Sequence, residues 1–182
     1  MGIVIRGPEI LESTRKIDTI VLDKTGTLTQ GRMSVVGVLI DEYRPDTVTL
    51  TAAVESASEH PIGRALAAAA DEIQLVEAFR STQGQGVRGV VDGSTVITGR
   101  PSWLVHEWSI SIPPTAHDWI DDQRERGRTV VATAIDGSFG GAFAIADAVK
   151  DSSAHAVSEI RELVGEPILV TGDNTHSVQA VA

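Results

Sequence analysis

The residues from Asp23 to Thr29 combine the groups that phosphoryl transfer needs. Asp23 ends a short apolar run and begins the segment Asp23-Lys24-Thr25-Gly26-Thr27-Leu28-Thr29. A carboxylate can attack a phosphoryl group, cations can neutralise the phosphate, and a glycine lets backbone N–H groups approach an anion. A lone aspartate at the end of a strand is more often a structural cap. These neighbours favour a carboxylate that accepts a phosphoryl group.

A second polar loop, Thr171-Gly172-Asp173-Asn174, lies near the other end of the sequence and also follows a short apolar run. The two runs, at 16–22 and 167–170, predict buried strands. Ligands of open parallel sheets bind beyond the carboxyl ends of the strands, so we expect Asp23 and Thr171 to share one crevice. The long segment between them has a different periodicity and predicts an inserted domain.

The inserted segment predicts an α+β domain built on an antiparallel sheet. Apolar residues at helical spacing predict two helices around the elbow Glu59-His60-Pro61, the first carrying Leu50 to Ala57 and the second Ile62 to Ile73. Asp92-Gly93 and Asp136-Gly137 predict two-residue hairpin turns. The remaining predicted strands are 33–40, 74–82, 87–91, 95–98, 129–135 and 139–145. The remaining predicted helices are 101–107, 115–126 and one from Asp151 or Ser152 to Gly165.

The segment 23–29 resembles the phosphorylation signature of P-type ATPases, which are membrane pumps with the haloacid-dehalogenase fold. Thr171-Gly172-Asp173-Asn174 resembles the second phosphorylation motif of that family and stands in the same order. The resemblance implies that Asp23 becomes an aspartyl phosphate and that Asp23 and the Thr25 carbonyl hold Mg²⁺. It implies a catalytic site that also contains Lys24, Thr27, Thr171, Gly172 and Asp173.

Ser58-Glu59-His60-Pro61 resembles the nucleotide-domain signature of the heavy-metal-transporting, copper-type class of these pumps. A histidine before a proline at a helix start is, by itself, more often a capping or packing residue. The resemblance implies instead that His60 orients the adenine end of ATP and that Glu59 supports it.

The glycine-rich segment Gly84-Gln85-Gly86-Val87-Arg88-Gly89 matches the pattern G-x-G-x-x-G. A dinucleotide site requires that pattern to open a helix, whereas here it runs into a predicted hairpin. The family resemblance implies that Gly84, Gly86 and Gly99 let ATP lie close to the backbone. Arg100 stands where the family often has asparagine.

The resemblance covers essentially the whole chain and implies its domain organisation. Residues 1–32 and 145–182 would be two segments of an incomplete parallel α/β phosphorylation domain, and residues 33–144 the nucleotide-binding domain. The family's catalytic lysine and Gly-Asp-Gly-x-Asn-Asp loop are missing from the sequence. The expected partners are ATP, Mg²⁺ and the rest of a pump: membrane helices, actuator domain and the remaining phosphorylation domain. The expected location is the cytoplasmic face of a membrane.

The composition narrows the remaining classes of function. The 182 residues carry a formal net charge of −10, which disfavours nucleic-acid binding, and contain no cysteine, which excludes disulfides and thiolate chemistry. No apolar run is long enough to span a membrane, so we expect a soluble fragment. Two alternatives stay open: a free-standing haloacid-dehalogenase-type phosphatase and a non-catalytic nucleotide-binding module. Those phosphatases usually carry a second aspartate where Thr25 stands, which favours the pump.

Overall fold

The computed structural model describes residues 18–170, which divide into two compact units. One unit holds residues 18–31 and 149–170, and the other holds residues 32–148. The second unit is therefore inserted into the sequence of the first. The motif Thr171-Gly172-Asp173-Asn174 lies outside the described residues. None of the helices within 18–170 has both the length and the apolarity needed to cross a bilayer.

The elements follow one another in an order that fits the predicted insertion. In chain order they are β1 (Val21–Asp23), a π-helical turn (Lys24–Leu28), β2 (Thr29–Ile40), α1 (Thr47–Ser56), α2 (Pro61–Ala67), β3 (Val76–Thr82), β4 (Gly86–Val91), β5 (Ser94–Gly99), α3 (Pro101–Trp108), α4 (Pro114–Glu125), β6 (Thr129–Ile135), β7 (Ser138–Val149), α5 (Ser153–Leu163) and β8 (Ile168–Val170).

The first unit contains a parallel sheet of β1 and β8, the two strands predicted before the polar loops. Val21 pairs with Ile168, and Asp23 pairs with Val170 at the carboxyl ends of the strands. This confirms that the two predicted strands pair in parallel. Helix α5 begins after Ser152, as predicted, but Ser152 makes no side-chain capping bond. The described residues cover little of its apolar stripe, and Leu163 is 82% exposed.

The second unit is built on a six-stranded sheet with the order β2-β7-β6-β5-β4-β3. The pairings from β3 through β7 are antiparallel, which confirms the predicted sheet. Both predicted hairpin turns are present. Asp92 and Gly93 have φ of 48° and 81°, and Asp136 and Gly137 have 50° and 81°. Positive φ at both central residues is the geometry of a type I′ turn, which matches the twist of the strands.

Helices cover both faces of this sheet because successive strand residues point to opposite sides. Helices α3 and α4 pack on one face through Trp103, Leu104 and Ile120. Helices α1 and α2 pack on the other, where Val54 meets Val91 and Val96, and Leu66 meets Phe143. The insert therefore has its own core on each side of the sheet. This core holds the elements that line the candidate site.

The second helix of the predicted hairpin is shorter than its apolar pattern suggested. Ile73 was expected on its buried side, but α2 ends at Ala67 and Ile73 is 46% exposed. Asp71 and Glu72 follow after three alanines, and negative charge close to the C-terminus of a helix opposes the helix dipole. The prediction for Ile73 was wrong because the apolar spacing continues to residue 73, whereas the helix ends at Ala67.

Candidate functional site

A cleft of about 540 Å³ opens in the inserted unit where strands β3 to β6 and helices α1 to α4 converge. Four of the residues predicted to hold a nucleotide line it: His60, Gly84, Gly86 and Gly99. Glu59 does not belong to the lining and its side chain is exposed. Further lining residues come from α1, α2 and the loop between them, from the start of α3 and from β6, and they include Glu55, Ser58, Gly63, Arg100, Pro101, Ser102, Thr129, Val130 and Val131.

His60 is held in place by the helix that it begins. It is the N-cap of α2, and its Nδ1 accepts a hydrogen bond of 3.2 Å from the Ile62 N–H. Its own N–H donates to the Ser58 hydroxyl at 3.3 Å. An Nδ1 that accepts assigns the proton of a neutral imidazole to Nε2. The ring is thus both a capping group and a fixed hydrogen-bond donor at the cleft.

Glu55 is a residue of the cleft that the sequence interpretation missed. It is 5% exposed, and burial raises the pKa of its carboxyl to about 7. Gly63 leaves room for it, since a Cβ there would lie 2.8 Å from the Glu55 Oε2. One signal could have revealed it: Glu55 follows the apolar stripe of a buried helix and has no basic residue three or four positions away.

Two glycines of the cleft are neighbours in the sheet. Gly86 and Gly99 are partners in the β4–β5 ladder, and the Arg100 N–H donates to the Gln85 carbonyl at 2.9 Å. Gly84 has φ of 70°, a conformation that glycine adopts without strain. This part of the wall is therefore bare backbone held by main-chain hydrogen bonds.

Two of the arginines that line the cleft, Arg124 and Arg128, already bind other side chains. Arg124 forms an ion pair with Asp121 at 3.2 Å, and Arg128 donates to the Gln123 amide oxygen. Arg100 is exposed, and within 18–170 its guanidinium makes no ion pair or side-chain hydrogen bond. Arg100 is thus a cation available to an anionic ligand, beside the N-terminus of α3.

The loop after Asp23 lies in the first unit. Asp23 is exposed at the carboxyl end of β1, and the chain then turns through Lys24–Leu28 as a single π-helical turn. Gly26 has φ of 77°, and its N–H donates to the Thr29 hydroxyl at 3.0 Å. Lys24, Thr25 and Thr27 follow Asp23 on this one turn, whereas Thr171, Gly172 and Asp173 lie outside the described residues.

Comparison with known proteins places the chain in a family. A family model described as haloacid dehalogenase-like hydrolase matches residues 17–182. The chain therefore belongs to the haloacid dehalogenase-like hydrolases. Within that family it is similar over its whole length to copper-exporting P-type ATPases, in agreement with the resemblance seen in its motifs.

Two relatives from Mycobacterium tuberculosis illustrate this similarity. The probable copper-exporting P-type ATPase V is 44% identical over 188 residues, which cover 100% of this chain and 24% of that protein. The copper-exporting P-type ATPase of the same organism is 42% identical over 184 residues, with the same coverage of 100% and 24%. The chain thus spans about a quarter of the length of these curated relatives.

A solved structure extends the similarity to three dimensions. The crystal structure of a zinc-transporting PIB-type ATPase in the E2.Pi state superposes with a TM-score of 0.86 at 28% sequence identity. The superposition covers 98% of this chain and 30% of that one.

Proposed function

We propose that this chain is the ATP-binding and phosphorylation region of a P-type ATPase that exports copper or another heavy-metal ion. One observation carries the proposal: His60, Gly84, Gly86 and Gly99, chosen for their motifs, line a single cleft of about 540 Å³. The whole protein would couple ATP hydrolysis to metal transport through an aspartyl phosphate at Asp23.

The cleft has the chemistry to bind a nucleotide. His60 offers its Nε2–H to a ring nitrogen of adenine, and the apolar wall at Ile62 and Val131 can cover the base. The bare backbone at Gly86 and Gly99 lets a ligand approach closely, and Arg100 adds a cation for the phosphates. Glu59 was predicted to support the histidine. Because Glu55 is the carboxyl that lines the cleft, we propose that Glu55 shares or takes this role.

Asp23 is proposed as the nucleophile. Its carboxylate oxygen attacks the γ-phosphorus, the bond from phosphorus to the bridging oxygen breaks, and ADP leaves with that oxygen's electron pair. The exposed Asp23 carboxylate and the Thr25 backbone carbonyl are hard oxygen donors of the kind that suits a divalent cation. Asp23 and the Thr25 carbonyl would hold Mg²⁺, which when bound neutralises phosphate charge. Lys24, Thr27, Thr171, Gly172 and Asp173 are proposed to complete the site.

The proposal assigns a role to each part of the chain. Residues 1–32 and 145–182 belong to the phosphorylation domain, and residues 33–144 form the nucleotide-binding domain. The rest of the pump supplies the membrane helices, the actuator domain and the remainder of the phosphorylation domain. The chain works on the cytoplasmic face of the membrane. Similarity to copper-exporting ATPases supports this function over a free-standing phosphatase or a non-catalytic nucleotide-binding module.

Labelling with γ-phosphate-radiolabelled ATP in the full-length pump tests the proposal. We expect an acid-stable, hydroxylamine-sensitive label, as an acyl phosphate gives, and we expect Asp23→Asn to abolish it. Asp18→Asn is the matched control, because Asp18 is an exposed aspartate of the same unit. A label of wild-type intensity in Asp23→Asn would refute the assignment of the nucleophile.

A further inference from the structure

Three successive carbonyls of the loop after Asp23 are bound by one short segment of the chain. The Lys150 ammonium donates to the Gly26 carbonyl at 2.8 Å and to the Thr27 carbonyl at 2.9 Å. The next carbonyl, that of Leu28, accepts from the Lys150 N–H at 2.9 Å and from the Ser153 hydroxyl at 2.7 Å. Lys150 is half-buried, and Ser153 is buried at the start of α5.

These bonds determine which way the loop presents its donors. A peptide unit is planar and trans, so its N–H points away from its C=O. With the carbonyls of residues 26, 27 and 28 fixed towards Lys150 and Ser153, the peptide planes of these residues are fixed too, and with them the orientation of the N–H groups in the π-helical turn that follows Asp23. Backbone N–H groups held in fixed orientations are the means by which loops stabilise phosphate.

We propose that Lys150, assisted by Ser153, is the positioning residue of the phosphorylation loop. It orients the backbone that follows Asp23, and it acts through that backbone rather than on the phosphoryl group. The role rests on the proposed function of Asp23.

Lys150 also lies close to the point where the chain returns from the inserted unit to the first unit. The chain returns from the inserted unit between Ala148 and Val149, so Lys150 is the second residue after re-entry. Just before that point, the Asp147 carboxylate accepts from the Arg32 N–H at 3.1 Å, and Arg32 is the first residue of the insert. The residue that binds the loop carbonyls therefore stands directly after the point where the chain re-enters the first unit.

Three variants separate positioning from a direct effect of charge. Lys150→Met removes both the donors and the charge but keeps the aliphatic stem, and Lys150→Arg restores a cation that can donate to two carbonyls. Ser153→Ala removes one bond to the Leu28 carbonyl without changing any charge. Arg161→Met is the matched control, since it removes an exposed cation of α5 that pairs with Glu166.

The experiment measures two quantities for each variant: the rate of phosphoenzyme formation at saturating ATP in the full-length pump, and amide hydrogen exchange of residues 26–30. For Lys150→Met we expect a rate about 10- to 100-fold lower, an unchanged affinity for ATP and faster exchange in the loop. Lys150→Arg should recover most of the rate. Ser153→Ala should show a smaller loss in the same direction, and Arg161→Met should match the wild type.

Each result decides the inference. Amide hydrogen exchange in Lys150→Met that equals that of the wild type would overturn the inference. Faster hydrogen exchange together with an unchanged rate of phosphoenzyme formation would overturn it as well. A slower rate of phosphoenzyme formation in Lys150→Met, with a wild-type rate in Ser153→Ala and unchanged hydrogen exchange in the loop, would assign Lys150 a direct electrostatic role instead. A wild-type protein that forms no phosphoenzyme would refute the proposed function, while the exchange measurement would still decide whether Lys150 orders the loop.

Discussion

Gly86 and Gly99 face each other as partners of the β4–β5 ladder, and neither has room for a side chain. A Cβ on Gly86 would lie 2.6 Å from the Gly99 Cα and 2.8 Å from the Trp103 ring. A Cβ on Gly99 would lie 2.8 Å from the same ring and 2.5 Å from the Gln85 carbonyl oxygen. The absence of side chains at these two positions therefore leaves room for the Trp103 ring in the core and exposes bare backbone to the cleft.

Gly86→Ala should destabilise the inserted unit because the new methyl group meets backbone and the Trp103 ring. We expect a loss of about 1–3 kcal/mol in the free energy of unfolding, measured by urea denaturation. Gly37→Ala is the control, since a Cβ there meets its nearest atoms at 3.5 Å, which is ordinary contact. Equal stability of Gly86→Ala and the wild type would contradict the packing described for Trp103.

Thr133→Val should weaken the attachment of α1 to the sheet. The Thr133 hydroxyl accepts from Thr51 of α1 at 2.9 Å and bonds Thr98 of β5 at 3.0 Å, and all three side chains are fully buried. Valine has nearly the same shape but leaves two buried hydroxyls without a partner, at a cost of about 1–3 kcal/mol. Urea denaturation measures the loss, and Thr95→Val, at an exposed position near the start of β5, should have no comparable effect.

Glu55 should make stability depend on pH. Its pKa is about 7 in the folded state against an ordinary value of 4.5, so the folded protein binds this proton more tightly than the unfolded chain. Protonated Glu55 therefore contributes about 3 kcal/mol to the free energy of unfolding. This contribution is fully present below about pH 4.5 and is lost as the pH rises to about 7.

The variant Glu55→Gln removes this titration. In urea denaturation series from pH 5 to pH 8, we expect the free energy of unfolding of Glu55→Gln minus that of the wild type to increase, because only the wild type loses stability over this range. Glu59→Gln, which changes an exposed carboxyl nearby, controls for general effects of charge. Parallel pH profiles for Glu55→Gln and the wild type would show that the buried carboxyl does not titrate in this range.

Local chemistry made much of the fold predictable. The turns at Asp92-Gly93 and Asp136-Gly137 were foreseen because few dipeptides adopt positive φ at two successive positions. The parallel pairing of β1 with β8 was foreseen because both strands are short, apolar and followed by polar loops. These features depend on residues close together in sequence or on a pattern repeated at both ends of the chain.

The parts that were missed depend on tertiary packing. Glu55 became a cleft residue because α1 is fixed by Thr51, one helical turn earlier, and because Gly63 leaves space beside it. His60 combines the two roles between which the sequence could not choose, since it caps α2 and also lines the cleft. The bonds from Lys150 to Gly26 and Thr27 join residues far apart in sequence, and no local pattern predicts them.

A calorimetric titration of ATP into this chain tests the central claim, that the cleft of the inserted unit binds the nucleotide. The titration compares the wild type with His60→Ala and with His117→Ala, an exposed histidine of α4 outside the cleft. We predict saturable binding that needs no Mg²⁺, about tenfold or more weaker in His60→Ala and unchanged in His117→Ala. Equal affinity of His60→Ala and the wild type, or no binding by the folded wild type, would contradict it.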